Sequence, residues 1–169
     1  MKEVLIYAAE NGNTNLLIAA LKLEADPNCS THFDNTPLLN AAYFGQVNCI
    51  KLLLNAGANA SHVNDMGETP IMQAAKNGHT ECVRLLKPHS HEYDMKDDEG
   101  KTVFDYAANH ETDDILRILN ESEAETAASV YEMPVYDSEL SYEELINATK
   151  DTLRERYFTQ KDMELTPMV

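Results

Sequence analysis

His89 and His91 flank Ser90, with Cys82 and Asp94 close by in the chain. Imidazole nitrogens, a thiolate and a carboxylate form a donor set that transition metals accept, so this cluster has ligand chemistry. Its spacing matches no structural zinc pattern, and the same residues serve equally to fill a turn. We expect the turn, with no metal and no cofactor. Cys29, Cys49 and Cys82 are odd in number and scattered. Such a set is no disulfide framework; it points to reduced thiols in a cytoplasmic protein, with a nuclear one or a secreted effector as the alternatives. The chain has no glycine-rich phosphate loop, no nucleophile elbow and no helical histidine pair with an acid between. No enzymatic activity is expected from it.

The elements that must position any functional residue come next. A length of 169 residues is one domain with an appendage. No apolar run approaches the ~20 residues of a membrane span, and the acidic start, Met1 to Glu10, does not read as a secretory leader. Thirteen Lys and Arg face 29 Asp and Glu, a net charge of −16, which argues against a direct grip on nucleic acid or an anionic membrane. The charge is uneven. Residues 1–91 hold 8 acids and 6 bases, 92–119 hold 9 and 3, and 120–169 hold 12 and 4.

A period of 33 residues runs through the first part of the chain. Thr36-Pro37-Leu38 returns as Thr69-Pro70-Ile71 and, altered, as Thr102-Val103-Phe104. Ala8-Ala9, Ala41-Ala42, Ala74-Ala75 and Ala107-Ala108 keep the same spacing, as do Gly12, Gly45 and Gly78, with Glu111 in the fourth place. Apolar pairs follow each: Leu16-Leu17, Cys49-Ile50, Cys82-Val83 and Ile115-Leu116. Threonine before proline caps and starts a helix, and the glycine ends it. A second helix then follows with apolar spacing, and a polar loop leads to the next unit. A lone helix pair cannot bury its apolar side, so the units must stack.

These residues, above all Thr36-Pro37-Leu38-Leu39-Asn40-Ala41-Ala42-Tyr43-Phe44-Gly45, resemble the ankyrin repeat. The resemblance covers about residues 1–120 and implies an all-α solenoid of four helix-turn-helix repeats with hairpin-like loops, in a domain set at 1–126. The repeats fall at about 1–28, 29–61, 62–94 and 95–126. The histidine that usually follows Thr-Pro-Leu is replaced by Leu39 and Met72, which leaves open how neighbouring loops are tied. The usual loop glycine is Asp34 in the second repeat, and Glu24 stands where a glycine closes the first. The last repeat, with Glu111, Asp113 and Asp114 outward, reads as a cap.

Residues 127–169 form an acidic tail, with a linker at 127–140 and a helix expected over 142–158. Ser141-Tyr142-Glu143-Glu144 supplies its capping box, and Leu145, Thr149, Leu153 and Tyr157 its spacing. This helix either lies free or folds back on the repeats. Tyr131, Tyr136 and Tyr142 have acids nearby and are candidate modification sites; Glu132 to Asp137 faintly resembles tyrosine-phosphorylation motifs of bacterial effectors.

Ankyrin-like stacks hold partner proteins on a concave face made of loop tips and first helices. By position, the second repeat contributes His32, Phe33, Tyr43 and Phe44 to that face. The third contributes Val63, Asp65, Met66, Lys76 and Asn77, and the fourth Lys96, Asp98, Glu99, Asn109 and His110. Packing against the neighbouring repeat is the alternative for Tyr43 and Phe44. The expected contact patch centres on Phe33, Tyr43, Phe44 and Met66, flanked by acid at Asp97, Asp98 and Glu99. The function expected is that of a non-enzymatic adaptor, monomeric when free, holding a protein with a basic surface. Narrower alternatives are a chaperone or inhibitor of a basic nucleic-acid-binding client, a bacterial effector engaging a host protein, and a regulatory subunit of an enzyme.

Overall fold

The computed structural model describes residues 1–90, 93–109 and 113–121, and its described residues contain helices and no strand. The tail linker 127–140, the helix expected at 142–158, Tyr131, Tyr136, Tyr142, His91, His110 and Glu111 lie outside the described residues.

Among the described residues, eight α-helices come in pairs. They are α1 (Lys2–Glu10) with α2 (Thr14–Lys22), α3 (Pro37–Tyr43) with α4 (Val47–Asn55), α5 (Pro70–Lys76) with α6 (Thr80–Leu86), and α7 (Val103–Ala107) with α8 (Asp114–Asn120). A short 3₁₀ turn, Lys87–His89, follows α6. First helices pack side by side in the order α1, α3, α5, α7, and second helices in the order α2, α4, α6, α8.

Threonine starts the first helices α3, α5 and α7, as its type predicts, whereas α1 begins at Met1 without a side-chain cap. The Thr36 hydroxyl accepts the Leu39 N–H at 3.3 Å, and Thr69 accepts that of Met72 at 3.4 Å, each with proline at the first helical position. The fourth unit lacks the proline and compensates with a reciprocal capping box between Thr102 and Asp105. At the other end, Gly45 has φ +71°, and a Cβ there would stand 2.7 Å from the His79 ring. Only glycine meets both demands.

The core runs continuously between the two rows of helices. Leu5, Leu17, Leu38, Ile50, Leu53, Ile71, Leu86, Ile115 and Ile118 are all sealed from water. Each such side chain stabilises the stack by about 1.5–3 kcal/mol relative to exposure. The alanine pairs of α1, α3 and α5 are fully buried and let adjacent helices approach closely. In the fourth unit, Ala107 at the end of α7 is buried and Ala108, just past it, is exposed.

Leu39 and Met72, where the family has histidine, are buried apolar residues. Loops are tied by other groups. The Asp65 N–H donates to the Phe33 carbonyl at 3.3 Å and the Asp98 N–H to that of Met66 at 3.1 Å, again one period apart. His62 Nε2 adds a bond to the Asp34 carbonyl at 3.0 Å. A second set joins the helix turns: Gln46 Nε2 donates to the Glu10 carbonyl at 3.1 Å, and His79 Nε2 to that of Tyr43 at 3.0 Å. Gln46 and His79 hold the N-cap positions of α4 and α6 without capping them, so these side chains are free to reach the preceding repeat.

Candidate functional site

The loops that precede α3, α5 and α7 share one closing device. Thr31, Asn64 and Asp97 stand at the same place in successive repeats. Each offers a side-chain oxygen to the backbone N–H two and four residues on. Backbone bonds from Thr31 to Asn35, Asn64 to Glu68 and Asp97 to Lys101 close the same turns at 2.9–3.1 Å. Such side-chain turns hold the following tip residue outward. The tips are Phe33, Met66 and Glu99.

Phe33 is 64% exposed and Met66 54%, with His32 exposed beside Phe33 at a ring separation of 5.7 Å. Tyr43 and Phe44, at the end of α3, are 47% and 50% exposed and meet edge to face, with centroids 4.8 Å apart. Apart from Met1, these four are the exposed large apolar side chains among the described residues. Tyr43, Phe44 and Met66 line one groove of about 270 Å³ together with Glu10, Asn35, Leu39, Asn40, Asn64 and Gln73. His32 lines a neighbouring hollow with Lys2, Glu3, Ile6, Glu10 and Thr31.

The remaining residues selected from sequence separate into free and committed groups. Asp65, Asp98, Lys96 and Asn109 are exposed, and Val63 is half-buried. Lys76 is committed: its Nζ lies 2.6 Å from Glu68 Oε1 and 5.3 Å from the Tyr106 ring centroid. Asn77 turns back to the Gln73 carbonyl at 2.8 Å, and Glu99 pairs with Lys101 at 2.6 Å. Asp97 does not belong to an acidic flank. It is buried, receives the N–H groups of Glu99 and Lys101 at 2.9 Å, and accepts the Tyr106 hydroxyl. Burial disfavours its charge, yet the Tyr106 bond, the two backbone donors and the Lys101 charge outweigh that and hold its carboxyl below the ordinary 3.8. Burial, followed by the bond to Asp97, pushes the Tyr106 phenol up.

The sequence pattern did not single out Asn40 and Gln73, which line this groove and, with Tyr106 beyond it, form a buried polar column one period apart. Asn40 donates to Glu10 Oε1 at 3.2 Å; Gln73 donates to Glu68, a buried carboxylate also held by Lys76 and, at 3.3 Å, by Asn64. The signal was present, because hydrogen-bonding side chains recur at the 33-residue spacing inside otherwise apolar helices. Gln73 Oε1 is buried with no hydrogen-bond donor among the described residues.

Chemistry elsewhere is muted. Burial pushes the Cys49 thiol up to about 11, and burial with the Glu81 charge pushes Cys82 to about 12. Thiols held protonated in this way behave as small apolar residues. His89 ends the 3₁₀ turn, where Ser90 donates to the Leu86 carbonyl at 3.0 Å. Among the described residues, no group of three or more His, Cys, Asp or Glu is placed to hold a metal. Likewise, no helix among them is long and apolar enough to cross a membrane.

Among curated proteins, none is significantly similar to the chain. A family model described as ankyrin repeats, in three copies, matches residues 5–97 and, overlapping, 56–129. Ankyrin repeats are generally protein–protein interaction modules without catalytic activity. With the paired helices, the 33-residue lattice and this match in hand, the chain belongs to the ankyrin-repeat family.

Proposed function

We propose that this chain is a non-enzymatic adaptor that holds a partner protein on its loop tips and the exposed ends of its first helices. The observation that carries this reading is the exposure of Phe33, Tyr43, Phe44 and Met66 in neighbouring repeats, which apart from Met1 are the exposed large apolar side chains among the described residues. Exposed aromatic anchors on a rigid frame give affinity with little loss of conformational freedom. The partner has a basic surface, drawn by the acid that accumulates toward the C-terminus, and binding weakens as salt rises. In this reading the free chain is a cytoplasmic monomer.

Replacing Phe33 and Phe44 together by alanine is expected to weaken partner capture by about a hundred-fold. The melting temperature should stay nearly constant, because exposed substitutions alter stability by roughly ±0.5 kcal/mol. Affinity capture with the full chain, paired with thermal melts, makes the check. A large loss of stability would assign both rings to the core, and unchanged capture would move the binding face elsewhere.

A second reading rests on the tail, where residues 120–169 carry 12 acids and 4 bases. That charge suits a stoichiometric chaperone or inhibitor shielding a basic nucleic-acid-binding client. A client captured by the full chain but not after removal of residues 127–169 favours this reading.

A further inference from the structure

We propose that the groove between the ends of α1, α3 and α5 is a subsite for one arginine side chain of the partner. This rests on the reading of that face as the protein-binding surface and gives it a specific chemistry.

Three features converge there. The first is a missing donor. Gln73 is 6% exposed, and its Nε2 donates to the Glu68 carboxylate. A carboxylate accepts hydrogen bonds, so this contact fixes which way round the amide lies and leaves Oε1 as the acceptor without a donor. Met66, an unbranched and half-exposed side chain lining the same groove, can swing aside to admit one. The second is an uncompensated charge. Glu10 lines the groove, receives Asn40 Nδ2 at 3.2 Å and has no ion pair among the described residues. Lys76 is held by Glu68, and Lys2, which shares the neighbouring hollow with Glu10, makes no ion pair with it among the described residues. The third is the wall: Tyr43 and Phe44, edge to face with an interplanar angle of 78°, present ring surface to solvent.

Among side chains, arginine satisfies all three. Its planar guanidinium stacks on an aromatic ring while its several N–H groups reach a carboxylate and an amide oxygen in different directions. Lysine is a compact, strongly hydrated point charge that stacks poorly. An apolar anchor would desolvate the Glu10 carboxylate without a counter-charge and would bring no donor to Gln73 Oε1. The tail of this chain carries Arg154 and Arg156, but its net negative charge is repelled by Glu10 and makes it the poorer occupant.

The test selects phage-displayed random peptides on the full chain and measures the resulting peptides against point variants. The expected result is enrichment of arginine. Exchanging that arginine for neutral citrulline, or making Glu10→Gln in the protein, should each weaken binding by about ten-fold without changing the melting temperature. In nuclear magnetic resonance spectra, N-acetyl-arginine methylamide should shift the side-chain amide signals of Gln73 and Asn40, and its citrulline analogue should not. Peptides lost on Tyr43→Ala or Phe44→Ala but enriched in leucine, lysine or nothing in particular would overturn the arginine subsite and leave the binding face standing. Peptides indifferent to both substitutions would overturn the face and the subsite together. Silent amide signals with the arginine probe would overturn the subsite on their own.

Discussion

Asp97 shows how one side chain can be misread from its neighbours in sequence. Between Lys96, Asp98 and Glu99 it looks like one more solvated acid, yet it is the fourth repeat's counterpart of Thr31 and Asn64 and closes a loop. Replacing it by alanine leaves two N–H groups and the Tyr106 hydroxyl without their acceptor. This should lower unfolding free energy by about 1–3 kcal/mol, measured by urea titration. The pH dependence has a definite sign. Because the folded state holds this carboxyl below 3.8, the unfolded chain takes up the proton first. Its contribution is therefore whole above that value and drains away as pH falls through the lower folded value. Asp97→Ala should lose less stability than the parent over that acid window, and an identical acid profile in both would show that Asp97 is not the group responsible. Phe33 was legible without the structure, since a ring at a loop tip has nothing to pack on. Gln73 was marked only by its place in the 33-residue lattice; its partners were not legible, because Glu68 and Lys76 are brought to it from a loop and the next helical turn.

The elements themselves were written plainly in the chain. Thr-Pro starts, alanine pairs and glycine stops predict helix pairs, and the backbone at Glu24 and Asp34, with φ of 58° and 55°, matches the two places where glycine was missed. A left-handed conformation costs a residue with a Cβ roughly 1–2 kcal/mol. Part of that gain returns as extra freedom of the unfolded chain when glycine is installed. Glu24→Gly should therefore stabilise the protein by a net of about 0.5–1 kcal/mol, seen as a raised denaturation midpoint at unchanged slope. A fall would mean that the Glu24 side chain makes a contact worth more than the strain. Asp34→Gly is the poorer choice, because Asp34 also faces His62 at 3.4 Å. Less legible was the tie between loops, since it passes through backbone groups that any residue carries.

At the scale of the molecule, each helix pair depends on its neighbours, so damage should stay near where it is done. Lys87 makes the sharpest case. It is 4% exposed, and its ammonium donates to the carbonyls of Ile118 and Glu121 at 2.6 Å, closing the negative end of α8. Lys87→Met keeps the length and removes both bonds, for an expected loss of about 1.5–3 kcal/mol. Hydrogen exchange should quicken across α8 and leave α1 to α4 as they were. Acceleration spread evenly along the chain would show that the repeats melt as one unit.

The contacts of Gln46 with Glu10 and of His79 with Tyr43 carry one more consequence. Each is a side-chain amide or ring meeting a main-chain oxygen 36 residues earlier, and the receiving group is common to every amino acid. Were the 33 residues from Thr36 to Glu68 excised, His79 would inherit the oxygen of Glu10; were they copied, the duplicate Gln46 would find that of the first Tyr43. These two contacts are thus interchangeable couplings, and whole units can be removed or added without losing this one tie between helix turns.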